Sequence, residues 1–140
     1  KDLLQLVNLC KLHADYEKAD YDVQQKEELL NKHLFSDHPS LYCLVVEKEG
    51  RLIGYTAYMK QFSTWDATNY IYMDCLFMTE ESRGFGIGGK IMDKIKEEAQ
   101  KLGCAMIQWQ TPEFNKRAIK FYKRMGAVGK SKERFFLNVE

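Results

Sequence analysis

The sequence has little net charge, no long apolar run and no cysteine or histidine spacing that suits a metal. Its 21 Lys and Arg stand against 20 Asp and Glu, a net charge of +1, with no block of basic residues. Nothing here makes a case for nucleic acid as a partner. Every apolar stretch falls far short of the roughly 18 residues that a membrane-spanning helix needs, so no membrane partner is expected. The four cysteines, Cys10, Cys43, Cys75 and Cys104, lie about thirty residues apart, each inside an apolar segment. That pattern excludes a C-x-x-C site and argues against a disulfide framework, so no metal is expected. Buried thiols suit a reducing compartment, and the expected location is the cytoplasm. His13, His33 and His38 are scattered, as surface or packing residues are. At 140 residues and 45% hydrophobic content the chain reads as a single domain, residues 1–140, with a sizeable core. It opens with Lys1 inside helical spacing, so its natural start is expected to lie upstream.

What is present is organised around residues 70–103. Tyr70 to Met78 reads as a strand, Thr79 to Ser82 as a polar turn, Arg83 to Gly89 as a glycine-rich loop. A helix follows, because Ile87, Ile91, Ile95, Ala99 and Leu102 recur every three or four residues among polar ones. Gly103 sits where a left-handed cap is wanted. Four glycines between a strand and a helix let backbone N–H groups converge without side chains in the way. Such a loop at a helix N-terminus is an anion site, most often for phosphate.

Three phosphate patterns compete for it. Gly84-Phe85-Gly86-Ile87-Gly88-Gly89 matches the dinucleotide pattern G-x-G-x-x-G, but the next strand ends Gln108-Trp109-Gln110-Thr111 without the ribose-binding acid. Gly84 to Lys90 fits G-x-x-x-x-G-K, yet Ile91 stands where magnesium needs Ser or Thr. The third pattern is Arg83-x-x-Gly86-x-Gly88. A glycine-rich turn without a ligand is the plain alternative.

Along the rest of the chain, residues 2–13 and 23–35 read as helices, ended by the Ser36-Asp37-His38-Pro39-Ser40 breaker cluster. Residues 41–47 and 51–62 read as a hairpin through Lys48-Glu49-Gly50, with Gly54 marking a bulge or a close approach. With residues 70–78 they make an antiparallel meander. Residues 104–111 form a strand parallel to 70–78, since a helix joins the two. Asn115 caps a last helix, residues 116–125, which carries Lys123 and Arg124 in its final turn and Gly126 as its stop. Arg134 to Val139 is a last strand.

This order, with Arg83-Gly84-Phe85-Gly86-Ile87-Gly88 and Phe121-Tyr122-Lys123-Arg124-Met125-Gly126-Ala127, resembles the GNAT (Gcn5-related) N-acetyltransferases without their first strand. Among them it is most similar to the spermidine/spermine and thialysine N-acetyltransferases, with weaker support from Asp37-His38-Pro39 and Trp65. The resemblance implies an α/β fold with a central mixed, mostly antiparallel sheet flanked by helices, acetyl-CoA as co-substrate and no metal. It implies that N–H groups of Phe85, Gly86, Ile87, Gly88 and Gly89, beside Gly84 and Arg83, hold the CoA pyrophosphate. Asn115, Lys123 and Arg124 would contact CoA, and backbone near Leu76, Phe77 and Met78 would bind the acyl oxygen. Tyr122 would protonate the leaving thiolate, and Asp74, where the family has a glutamate, would act as base through water. Asp20, Asp22, Glu28, Trp65, Tyr72 and Asp74 would line an acceptor site. Relatives imply a homodimer.

The residues themselves support these roles to different degrees. Alternation puts Tyr70, Tyr72, Asp74, Leu76 and Met78 on one face and Ile71, Met73, Cys75 and Phe77 on the other. Cys75 is therefore expected to point away from Asp74, leaving no convincing nucleophile. A carboxylate in so apolar a strand is either a functional base or an acid paired to a neighbour. Tyr122 shares a helical stripe with Ile119 and Met125, which packing alone could explain. The segment from Asp15 to Glu28 carries six acids against Lys18 and Lys26. It is either a cationic acceptor's wall or a solvated connector. The expected function is acetyl transfer from acetyl-CoA to a primary amine of a small cationic molecule: a polyamine, a diamine or a lysine-like amino acid. Two rivals remain: an acetyltransferase for protein lysines or N-termini, and a non-catalytic acyl-CoA-binding sensor.

Overall fold

In the computed structural model, which describes residues 2–139, the chain forms two compact units, residues 2–110 and 111–139. The first holds helices α1 (Leu3–Tyr16), α2 (Lys26–Leu34) and α3 (Ile87–Lys101), with strands β1 (Tyr42–Lys48), β2 (Arg51–Ser63), β3 (Thr68–Met78) and β4 (Ile107–Trp109). The second holds α4 (Lys116–Arg124).

The four strands make one sheet in the order β1-β2-β3-β4. The first two pairings are antiparallel and the β3–β4 pairing is parallel, as a helical crossover demands. The β1–β2 turn takes positive φ at Glu49 (53°) and Gly50 (79°), the pair of left-handed residues a tight two-residue hairpin uses. Gly54 answers to close approach. A Cβ there would collide with the Met78 side chain and come within 3.0 Å of the Phe77 carbonyl oxygen.

The sheet is covered on both faces. Leu6 and Leu9 of α1 pack with Leu52, Tyr55 and Phe77 on one face, joined by Leu30 and Leu34 of α2. On the opposite face Tyr58 reaches α3, its hydroxyl donating to Glu98 at 3.3 Å. The apolar stripe of α3, Ile91, Met92, Ile95 and Ala99, is buried. Gly103 follows α3 at φ 72°, and Gly126 follows α4 at φ 95°, both as the sequence requires.

Three expectations shift. The helices begin or end a few residues from the expected bounds; α2 starts at Lys26 rather than 23 because Asp22 draws the Gln24 N–H into a local turn at 3.0 Å. β4 is three residues long rather than eight. Residues 134–139 form no strand: none of the sheet ladders includes them, and Phe135, Phe136, Leu137 and Val139 are exposed. Their β-forming composition is only a preference, and a strand exists only where a neighbour pairs with it. Arg134 lies over the Phe136 ring at 4.9 Å.

Candidate active site

The residue that shapes the site is one too many. β2 runs without interruption through Ala57 and Tyr58, but their partners on β3 are Cys75 and Met73. Asp74 has no partner of its own and forms a β-bulge. A bulge reverses the inside-outside alternation of a strand. Met73 therefore shares a face with Tyr58 and α3, whereas Cys75 and Phe77 pair with Ala57 and Tyr55 on the α1 face. The expected separation of Asp74 from Cys75 is corrected by this geometry: the Cys75 thiol donates to Asp74 Oδ2 at 3.8 Å. Strict alternation cannot survive an inserted residue.

The same point marks a parting of strands. β4 pairs with β3 only at Ile71, Tyr72 and Met73. From Asp74 to Met78 the β4-side edge of β3 carries no ladder. An unpaired strand edge is a row of hydrogen-bonding groups ready for an extended ligand. Leu76, Phe77 and Met78 lie along it.

Beyond Met78, a turn of 3-10 helix (Glu80–Ser82) is fixed by buried hydroxyls: Thr79 and Ser82 meet at 2.9 Å, and Ser82 also donates to the Thr79 carbonyl at 2.8 Å. The loop then passes through Gly84 (φ 89°) and Gly86 (φ 76°), left-handed conformations that suit glycine. Gly86 is the N-cap of α3, and the first intrahelical N–H to reach back is that of Lys90, at 3.3 Å to the Gly86 carbonyl. The N–H groups of Ile87, Gly88 and Gly89 thus stand at the open end of the helix, where an anion is favoured. The first turn holds no acid, and the Cβ positions of Gly84, Gly86 and Gly89 open onto empty space. These residues fit a pyrophosphate. The Arg83 side chain lies elsewhere. Its Nε donates to the Met78 carbonyl at 3.0 Å, and its guanidinium sits 4.5 Å over the Tyr16 ring.

On the α1 face beside Cys75 lies a group of titratable side chains that the sequence pattern did not single out. His13 Nδ1 is 2.8 Å from the Tyr55 hydroxyl, and its Nε2 is 2.9 Å from Glu17. Burial pushes the Tyr55 phenol far above its usual range, with the neighbouring Cys75 and Cys10 thiols adding to it. Burial likewise pushes the Cys75 thiol up to about 12, with the Asp74 charge adding to it. Tyr21, in the connector between α1 and α2, interacts with Cys10 and Cys75, and its phenol too is pushed upward, mainly by burial.

The other expected acceptor residues are spread out. Tyr72 is on β3, two residues before Asp74, paired with Met59 and Gln108. Glu28 sits in the first turn of α2, facing a cavity between α1 and α2 that Leu3, Leu4, Val7 and Val23 also line. Trp65 is 98% exposed at the tip of the β2–β3 hairpin. The six steps from Thr68 to Asp74 alone span about 20 Å of strand, so the fold does not gather Trp65 with the bulge.

In the second unit, Asn115 caps α4 as expected, its side chain accepting from the Ala118 N–H at 3.3 Å. Tyr122 packs against Phe121 with ring centroids 5.5 Å apart. Lys123 and Arg124 occupy the last turn of α4, suited to the helix dipole.

A family model described as "Acetyltransferase (GNAT) family" matches residues 2–127. The chain belongs to that family. Thialysine N-epsilon-acetyltransferase of Bos taurus is 35% identical over 134 residues, covering 90% of this chain and 78% of the relative. This GNAT chain also shares its fold with distant solved structures. An aminoglycoside acetyltransferase from an uncultured soil metagenomic sample, solved with sisomicin, matches at a TM-score of 0.82 and 17% identity, covering 99% of this chain and 89% of that one. An aminoglycoside N-acetyltransferase solved with CoA matches at 0.80 and 15%, covering 98% and 88%. The chain is thus a GNAT N-acetyltransferase that uses acetyl-CoA. Among the described residues no helix is long and apolar enough to cross a membrane.

A thiol held near pKa 12 is almost wholly protonated at pH 8, with about one ten-thousandth as thiolate, whereas a free cysteine near 8.5 is about a quarter ionised. Alkylation of Cys75 at pH 8, followed by peptide mass spectrometry, should therefore be on the order of 1,000-fold slower in the folded protein than in urea. Equal rates would mean that the Cys75 thiolate is available as a nucleophile.

Proposed function

We propose that this enzyme acetylates the primary amine of a small molecule carrying a second positive charge, by direct attack on acetyl-CoA in a ternary complex. What supports the acceptor class is the run of six acids from Asp15 to Glu28, which includes Asp20 and Asp22. The similarity to a thialysine acetyltransferase supports it, because that acceptor is named as an amino acid of the lysine kind.

In this reading the glycine loop holds the pyrophosphate on N–H groups of residues 85–89. The open edge from Asp74 to Met78 takes the extended arm of the co-substrate, and a backbone N–H near Leu76 to Met78 meets the developing oxyanion. Acetyl-CoA supplies the activated thioester. An amine with a pKa of about 10.4 must shed a proton before it attacks. Asp74 is the acceptor of that proton through water, exposed at the bulge where solvent can carry it away. Asn115, Lys123 and Arg124 contact the cofactor, and Tyr122 returns a proton to the leaving thiolate. Cys75 takes no covalent part, since its thiol is held protonated.

Cofactor use has a direct test. Acetyl-CoA at 100 times its dissociation constant adds roughly 2.7 kcal/mol to stability. A thermal melt should register this in the wild type and lose it in Gly86→Asp, where a carboxylate enters the phosphate cradle. A wild-type melting temperature unmoved by millimolar acetyl-CoA would overturn the reading.

The proton roles separate by pH. Asp74→Asn should slow turnover most at lower pH, where less of the amine is already neutral, and approach the wild type as pH rises toward the amine pKa. Tyr122→Phe should cut turnover about 100-fold or more while leaving acetyl-CoA affinity near its original value. An unchanged pH–rate profile removes Asp74 as base, and full turnover returns Tyr122 to packing.

The acceptor class shows in salt dependence. Attraction between the connector acids and a second ammonium is screened over about 8 Å at physiological ionic strength. For a diamine kcat/KM should fall as salt rises, and much less so for a monoamine of similar length. Replacing Asp20 and Asp22 by Asn should shrink the difference. Equal salt dependence, or acetylation of lysine peptides in preference to free diamines, would sink the cationic small-molecule acceptor and leave the acetyltransferase standing.

A further inference from the structure

The phosphate loop is built of residues that cannot hold themselves in place. Four of the six positions from Gly84 to Gly89 are glycine, and Phe85 between them is 73% exposed. Glycine loses more freedom on ordering than any other residue. Such a loop binds well only if something else fixes its conformation beforehand. At its downstream end the α3 helix does so. At its upstream end stand the turn held by the Thr79 and Ser82 hydroxyls and, after it, the side chain of Arg83.

Arg83 leads directly into the loop, yet its guanidinium is turned back from it. Nε donates to the Met78 carbonyl at 3.0 Å, at the end of β3. The guanidinium carbon lies 4.5 Å from the Tyr16 ring centroid and 5.5 Å from that of Phe77, within cation–π range of both. Tyr16 and Phe77 meet edge to face at 6.4 Å, and Phe77 stacks on His13 at 5.1 Å. His13 is itself held by Tyr55 and Glu17. The arginine therefore rests on an aromatic platform contributed by the last turn of α1 and by β3.

Tyr16 is the last residue of α1, and the acidic connector that includes Tyr21, Asp20 and Asp22 begins just after it. The platform thus joins the cofactor loop to the segment proposed to wall the acceptor.

We infer that Arg83 and Tyr16 are positioning residues: their stacked contact orders the glycine loop for the co-substrate and ties it to the acceptor-side connector, and the guanidinium is not itself a phosphate ligand. This rests on the assignment of the loop to the acetyl-CoA pyrophosphate. The planar stack explains an arginine here, because a lysine keeps the charge but loses the flat face and the directed Nε hydrogen bond.

The test is a double-mutant cycle on acetyl-CoA affinity, read by calorimetric titration in wild type, Arg83→Met, Tyr16→Leu and the double variant. Each single change should raise Kd about tenfold, and the double should be no worse than the worse single, because both remove one contact. Tyr16→Phe, which keeps the ring, should stay within about twofold of wild type, and Arg83→Lys should resemble Arg83→Met. Hydrogen exchange of the amides from Gly84 to Gly89 in the ligand-free chain should quicken alike in Arg83→Met and Tyr16→Leu. This readout needs no ligand, so a wild type that fails to bind acetyl-CoA overturns the loop assignment while exchange still decides the clamp. Melting curves for each variant separate a loosened loop from a lost fold. The inference is overturned if Tyr16→Leu leaves both Kd and loop exchange unchanged. It is equally overturned if the two effects multiply in the double variant, or if Arg83→Lys restores affinity, which is what a phosphate-bound charge would give.

Discussion

One inserted residue in β3 sets the terms for everything around it. Without the bulge at Asp74, a strand whose upstream half buries Ile71 and Met73 toward α3 would continue to face Phe77 the same way. The platform beneath Arg83 would then lose its floor. With it, the strand serves both faces in turn: Met73 pairs with Tyr58 on the α3 side, and Cys75 and Phe77 pair with Ala57 and Tyr55 on the α1 side. The bulge also coincides with the end of β4 pairing, so the one position where β3 changes face is where its edge comes open. Asp74 can remain exposed in an otherwise apolar strand because the inserted residue is not obliged to enter either core. The cost of burying a charge is avoided rather than compensated.

The aromatic side chains around Phe77 are the second consequence. His13, Tyr16, Tyr55 and Phe77 come from three elements, and their rings contact one another within 6.5 Å. A cluster of this sort is stiff, since each ring is confined by its neighbours and by hydrogen bonds at His13. It offers a flat surface to a guanidinium. Stiffness near a glycine loop is useful, because the loop contributes donors but almost no order of its own.

Legibility from sequence followed the range of the forces involved. The glycine loop, the α3 stripe, the Gly103 stop and the Asn115 cap are set by residues within one or two turns, and each was readable. The bulge was not. The run from Tyr70 to Met78 alternates no differently from a regular strand, and only the pairing with β2 shows that one residue is extra. For the same reason Cys75 was placed on the wrong side of Asp74. Nothing local marks Tyr21 as a residue whose phenol burial pushes upward, for it lies in a polar connector with acids on both sides. β4 was read too long because apolar Cys104, Ala105 and Met106 precede the three residues that pair with β3. At residues 134–139 composition favoured a strand where no ladder forms. The i,i+4 pairs at the end of α1 were within reach but not drawn: Asp15 is held by Lys11 at 2.9 Å and Glu17 by His13 at 2.9 Å.

The protonated thiol and the divided labour of the loop bear on the same question, which is how the proposed direct attack, without a covalent intermediate, would keep two substrates in register. Direct attack gains most of its advantage from holding the amine and the thioester together, and effective concentrations fall quickly when either is misplaced. A covalent enzyme can hold the acyl group by a bond. In the proposed mechanism Cys75, whose thiol burial holds protonated beside Asp74, forms no such bond, so the register would come from non-covalent contacts. The platform of α1 and β3 meets that need in a physically economical way. The strand that carries Asp74 also carries Phe77, and the helix that ends in Tyr16 leads into the acidic connector. If the connector walls the acceptor as proposed, displacing the cofactor loop would disturb the acceptor side as well, because Tyr16 of the ring cluster leads into that connector.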